Sequence, residues 1–213
     1  MGSQFASVKG DKSRVQNHQS YRDNFDLIKK KNKMPKYENT NIYLDLDETM
    51  LGSVYAQSNT YRDNLIEKFK FKNKFKYATY DDYLSFKWPH TDELVAYAIE
   101  LVGVENVYVL TAATEEYAEC LCAKLGIGIS KNNIFAREHF ACGVPKLKGK
   151  NNILVDNENY EYHSFGSKNK LTFLYDLPKS KLVQVMHFYP STYFDDPKRF
   201  EKLKEDIITA IES

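Results

Sequence analysis

Residues 42–51 read IYLDLDETML. An apolar run that stops on two aspartates, one residue apart, limits what this chain can be more than any other feature. Side chains two apart on an extended strand point the same way, so Asp45 and Asp47 crowd one another at the strand end. Crowded carboxylates are costly unless a cation or strong donors sit between them. The plain alternative is a pair of aspartates capping a turn.

The surroundings favour a site. NIYLDL reads as a short strand buried on both faces, and NVYVLT and NNILVDN read as two more. Between and after them lie helical stretches. TDELVAYAIELVG carries Asp92 and Glu93 in its first turn and Gly103 at its end, TEEYAECLCAKLG repeats those signals, and DDPKRFEKLKEDIITAI offers Asp196 as cap and Pro197 at the first position. Strands alternating with helices predict an α/β fold, doubly wound around a mainly parallel sheet. The three strands end on Asp45, Thr111 and Asp156, with Asn157 next in line. Open α/β sheets bind ligands beyond the carboxyl ends of their strands. Oxygen donors without His or Cys suit a hard cation, most simply Mg²⁺, held by Asp45, Asp47, Asp156 and Asn157; whether Asp156 or Asn157 ligates directly stays open.

The 213 residues suit one domain with an insertion, and 42% hydrophobic residues supply its core. A net charge of +1 selects no partner. Residues 1–40 carry nine basic against four acidic side chains and lack a clear period, so they are expected to form a basic, partly flexible extension, either a solvated tail or a nucleic-acid-binding arm, ahead of a domain over 41–213. Three cysteines without metal-ligand spacing suggest reduced thiols. No apolar run is long enough to span a membrane, no signal-peptide pattern is present, and Ala6 stands where a myristoylation motif wants Ser or Thr. An intracellular, cytoplasmic location is expected, with the nucleus left open.

Five segments in order resemble one family. DLDET looks like the DxDxT signature of haloacid-dehalogenase-type phosphatases, and within them the phosphatases of the RNA polymerase II C-terminal domain and their NLI-interacting-factor-like relatives are most similar. FKWPHTDELVAYA is similar to their RPH-DEFL segment, VYVLTAATEEYAECL to VLFTAS…YAD, ILVDNENY to LILDNSP-SY, and FDDPKRFEKL to the closing DD-EL-L stretch. The resemblance covers about residues 40–211 and implies a haloacid-dehalogenase-like, Rossmann-type fold and phosphate-monoester hydrolysis. Asp45 would be the nucleophile, forming an aspartyl-phosphate, and Asp47 the acid and then base, its backbone carbonyl also on the metal. Thr111 and the Ala112 amide would hold a phosphate oxygen. The family's lysine has three candidates, Lys146, Lys148 and Lys150. Lys146, ten positions before Asp156, is preferred, a spacing closer to that of deoxyribonucleotidases in the same superfamily. Lys87 and Trp88 stand where the family is basic, and His90 is expected to pack or cap.

Sixty-four positions separate Asp47 from Thr111, so an insertion is expected at about 52–88. In KFKFKNKFKY the aromatics alternate with Lys68, Lys70, Lys72, Lys74 and Lys76, which predicts a strand with one lysine face, paired as a hairpin with a strand near 83–88. Its lysines, Lys70, Lys72 and Lys74 foremost, would either protect a sheet edge or draw a polyanion to the site. So small an insertion leaves the site open to phosphates on macromolecules. The expected substrate is a phosphoserine or phosphothreonine protein; the alternatives are nucleotides or nucleic-acid 3′ ends, and a catalytically silent binding protein of the same fold.

Overall fold

In the computed structural model, which describes residues 35–73, 75–142, 151–157, 180–192 and 196–213, the chain is laid out around β1 (Thr40–Leu44). All five of its residues are buried, as an apolar strand with neighbours on both sides requires. It pairs in parallel with β5 (Val107–Leu110) on one side and β7 (Asn151–Asp156) on the other. Next to β5 lies β6 (Ile134–Phe135), and next to β7 lies β8 (Ser180–Gln184). The order β6-β5-β1-β7-β8 is parallel throughout. The chain first works outward from β1 through β5 to β6, then returns to the other side of β1 for β7 and β8. The expected α/β, doubly wound sheet is therefore present, and its order reverses at β1–β7.

Each interior strand supplies core side chains to this sheet, and across the β1–β7 register Asn41 Nδ2 donates to Asn152 Oδ1 at 3.0 Å, while Asn41 Oδ1 is buried with no hydrogen-bond partner among the described residues. α2 (Thr91–Val102) has Asp92 and Glu93 in its first turn, where carboxylates complement the helix dipole, and stops at Gly103 with φ +87°. α3 (Glu115–Leu125) begins at Thr114, whose hydroxyl accepts from the Tyr117 amide, and ends at Gly126 in the left-handed region with φ +65°. α4 (Arg137–Cys142) follows β6. α5 (Pro197–Glu212) starts at Asp196, which accepts from the Lys198 amide at 3.0 Å, and buries Phe200, Leu203, Ile207 and Ile211. It packs along β7 and β8, and the Tyr97 hydroxyl of α2 donates to the Lys204 carbonyl of α5 at 3.3 Å.

Between β1 and α2 lies the insertion: β2 (Leu51–Tyr55), α1 (Asn59–Asn73), β3 (Tyr77–Tyr80) and β4 (Tyr83–Lys87). The expected hairpin exists, but it is β3–β4, and β2 adds a third antiparallel strand in the order β2-β4-β3. The expected lysine-faced strand does not. Residues 68–73 belong to helix α1, and the strand begins only at Tyr77. A two-residue step turns about 200° around a helix, so successive lysines of the alternation do not share one face there. Lys74 and the side chains of Lys70 and Lys72 lie outside the described structure. The pattern misleads because its aromatics serve three elements: Phe69 (2% exposed) belongs to the helix and Phe75 to the link after it, and both pack edge-on against Phe86, while the exposed Tyr77 opens β3. The extension ahead of residue 35 also lies outside the described residues. Among the described residues, no helix is long and apolar enough to cross a membrane.

Candidate active site

The carboxyl ends of β1, β5 and β7 meet where the sheet order reverses, the position at which open α/β sheets bind ligands. Leu44 aligns with Val109 of β5 and with Val155 of β7, so Asp45 and Asp156 leave neighbouring strands side by side, with Thr111 one residue past the end of β5. The Asp45 amide donates to the Val155 carbonyl at 2.9 Å, extending the ladder by one rung and fixing where its side chain starts. Asp45, Asp156, Asn157 and Thr111 are all buried.

After Asp45 the backbone turns sharply. The amides of Met50 and Leu51 both donate to the Leu46 carbonyl, at 3.0 and 2.9 Å, and Glu48 takes φ +62°. Leu46 and Met50 are fully buried while Asp47 is half-buried. Past the buried Asp45, the turn thus sends leucine into the core and leaves Asp47 partly exposed. Thr49, from this turn, accepts from the Asn157 amide nitrogen at 3.1 Å and ties the turn to the end of β7.

The Asn157 side chain is the meeting point. One end of its amide lies 3.2 Å from Asp45 Oδ2, 3.0 Å from the Asp47 carbonyl oxygen and 2.9 Å from Thr49 Oγ1; the other end lies 3.0 Å from His187 Nδ1. With nitrogen inward, the amide donates to these oxygens and its oxygen accepts from His187. With oxygen inward, acceptor faces acceptor at Asp45 and Asp47, an arrangement that only a cation among them would relieve. A carboxylate, a main-chain carbonyl and an amide oxygen are the donor chemistry of Mg²⁺ sites, which keep water or phosphate in their other positions. The residues present fit such an ion. No group of three His, Cys, Asp or Glu side chains converges among the described residues; of the three donors here, one is backbone and one an amide.

Several contacts at the site have no sequence signature. After β8 the chain returns across the sheet edge, and the Phe188 amide donates to the Glu48 carbonyl at 2.5 Å. This brings His187 Nδ1 to 2.6 Å from Glu48 Oε2, with the Tyr189 hydroxyl donating to the same carboxylate at 2.8 Å. On the other side, the Tyr117 hydroxyl of α3 donates to Asp47 Oδ1 at 2.7 Å, and Ser53 Oγ of β2 lies 3.3 Å from the same oxygen. Burial, with the nearby charge of Asp47 adding to it, raises the Tyr117 phenol well above its ordinary value. Thr111 Oγ1 accepts from the Ala113 amide at 3.1 Å, and Arg137 Nε donates to the Ala112 carbonyl at 2.9 Å, so the turn after β5 is braced from both sides. His90 packs as expected, stacked on Phe200 with ring centroids 4.9 Å apart. Lys87 is buried inside the protein, donating to Asp92 and to the Leu125 carbonyl. Lys146, Lys148 and Lys150 lie outside the described residues.

What the fold and site define is an α/β protein with an acidic, oxygen-lined site at a strand-order reversal. No protein-family model matches the chain, and no curated protein does. Among solved structures, one described as Fcp1, an essential RNA polymerase II CTD phosphatase, is similar to 93% of this chain at 13% identity, with a TM-score of 0.46. Another, the fission yeast RNA polymerase II CTD phosphatase Fcp1 bound to beryllium fluoride, is similar to 93% at 12% identity, with a TM-score of 0.41. The chain spans about half the length of these two structures, 52% and 54%.

Proposed function

We propose that the protein is a Mg²⁺-dependent phosphatase that hydrolyses phosphate monoesters through an aspartyl-phosphate on Asp45, with phosphoserine or phosphothreonine in a protein as its substrate. The observation that carries this is the convergence of Asp45 Oδ2, the Asp47 carbonyl and Thr49 on the Asn157 amide, all within 3.2 Å, at the sheet's reversal point. The bound ion would supply charge neutralisation, letting a dianionic phosphate approach a carboxylate. Asp45, Asn157 and the Asp47 carbonyl would hold it.

The chain's own groups do the rest. Asp45 attacks phosphorus, the ester oxygen leaves with a proton from Asp47, and Asp47 then takes a proton from the water that clears the phosphate. Thr111 and the Ala112 amide bind a phosphate oxygen from the braced turn after β5. A lysine from the stretch that holds Lys146 neutralises the remaining charge. The nucleic-acid alternative loses one of its two supports, the lysine-faced strand, because residues 68–73 are helical.

Hydrolysis of p-nitrophenyl phosphate and of phosphoserine peptides in Mg²⁺ tests the proposal. EDTA should abolish both activities, and Asp45→Asn should lower both by a factor of about 10³ or more, since an amide cannot replace the nucleophile. Beryllium fluoride should bind on Asp45. Retained activity in Asp45→Asn, or the fluoride on another side chain, refutes it.

A further inference from the structure

Asp47 is asked to give a proton and later to take one, which demands that one of its two oxygens be aimed at the ester and that the proton be on that oxygen. The contacts on the other oxygen are specific. The Tyr117 hydroxyl donates to Oδ1 at 2.7 Å, and Ser53 Oγ lies 3.3 Å from Oδ1, 2.9 Å from the Tyr117 hydroxyl and 2.8 Å from Ser85 Oγ. Ser53 and Ser85 are register partners on β2 and β4. Ser85 is fully buried and Tyr117 nearly so. The Tyr117 ring is itself held edge-on by Tyr80, at 5.3 Å, and Tyr83, at 6.4 Å. The insertion therefore reaches the site through a chain of three hydroxyls that ends on one oxygen of one carboxylate.

We propose that Tyr117, backed by Ser53 and Ser85, is a positioning residue that assigns the transferable proton of Asp47 to Oδ2. This rests on the role proposed above for Asp47. A protonated Oδ1 would set its hydrogen against the hydroxyl hydrogen already pointing there, so the carboxyl proton takes the other oxygen. A phenol ordinarily titrates at about 10, so at neutral pH it is protonated and remains a donor. In the first step the Asp45 oxygen–phosphorus bond forms, the ester phosphorus–oxygen bond breaks, its electron pair goes to the leaving oxygen, and the Oδ2 proton follows. In the second step water attacks phosphorus, its proton goes to Oδ2, and Asp45 is released. Tyr117 loses no proton in either step.

The consequence is dependence on the leaving group. An alkoxide needs the proton; p-nitrophenolate leaves well without it. Tyr117→Phe should lower kcat/KM by about tenfold or more on a phosphoserine peptide, a fraction of the whole general-acid contribution. It should change the rate on p-nitrophenyl phosphate less than about threefold, again because little acid catalysis is at stake there. The ratio of the two rates is independent of how much of the variant is folded, so a destabilised preparation does not blur the result. Ser53→Ala should shift the ratio in the same direction by less. In an Asp47→Asn background, adding Tyr117→Phe should leave the ratio unmoved, since interacting groups are non-additive. Equal losses on both substrates, or a further change in the Asp47→Asn background, overturn the inference. If Asp47→Asn alone hits both substrates alike, the assignment of Asp47 as acid fails, which a normal ratio in Tyr117→Phe alone would not imply.

Discussion

Gly52 of β2 sits where the returning segment after β8 crosses it most closely. A Cβ on Gly52 would overlap Pro190 Cδ and lie 2.9 Å from Pro190 Cγ and 2.7 Å from the Phe188 carbonyl oxygen. A proline ring cannot swing aside, and the carbonyl belongs to backbone, so Gly52→Ala can be accommodated only by moving residues 188–190 off the sheet. Phe188 is fully buried, packs edge-on against Phe75 at 5.6 Å, and donates its amide to Glu48, so the shift loosens a packed ring and a hydrogen bond together. Overpacking of this kind costs about 1–3 kcal/mol, and three clashing atoms around one added carbon place it in the upper half. Alanine in place of glycine within a strand returns about 0.5–1 kcal/mol. The net loss is about 1–2.5 kcal/mol, which for a chain of this size lowers Tm by roughly 2–10 °C. Because His187 rides on the same segment and touches Asn157, the Mg²⁺ binding proposed above should weaken as well. Differential scanning calorimetry measures the first effect and isothermal titration the second. A variant melting within 2 °C or so of the parent would show that the crossing is looser than the argument requires.

Thr49→Val keeps the shape but leaves the buried Asn157 amide without the oxygen that accepts it at 3.1 Å; urea denaturation should show a loss of about 1–3 kcal/mol, and a loss below about 0.5 kcal/mol would refute that account. Lys87 is 4% exposed, and burial, outweighing its pairing with Asp92, lowers its pKa. The unfolded chain therefore holds that proton to higher pH than the folded one, so stability should rise with pH between the lowered value and about 10.4. Lys87→Met should flatten that rise and be neutral or stabilising at pH 7 by up to about 2 kcal/mol, since a buried charge gives way to an apolar side chain of similar length; an unchanged slope in pH-dependent denaturation would contradict this.

The central sheet was legible because β1, β5 and β7 are apolar runs that stop on polar residues, and because the helices between them carry their own start and stop signals. Asp45, Thr111, Asp156 and Asn157 follow from the same pattern, since the end of a strand is both a sequence feature and a place in the fold. What escaped was of two kinds. Residues 68–77 alternate perfectly yet straddle a helix end, a link and a strand start, so a local period was read across a boundary; Leu65, Ile66 and Phe69 carried the helical spacing upstream of it. His187, Tyr117 and Ser53 reach the site from β8's return, from α3 and from β2. Asp47 makes clear that a donor is wanted, but its partner is 70 positions away, and only the topology supplies the distance.

β1 has hydrogen-bonded neighbours on both sides and no exposed residue, and it delivers Asp45 directly from its last rung. Segments with that degree of protection exchange their amide hydrogens only when the whole molecule opens. The nucleophile proposed above is thus mounted on the part of the chain with the longest residence in its native place, while the insertion that supplies Ser53 and Ser85 is a small three-stranded sheet with edges of its own. Heat inactivation and global unfolding should then share one time course for chemistry that needs only Asp45, and excursions of the insertion should interrupt the acid function proposed for Asp47 far more often than they dislodge Asp45.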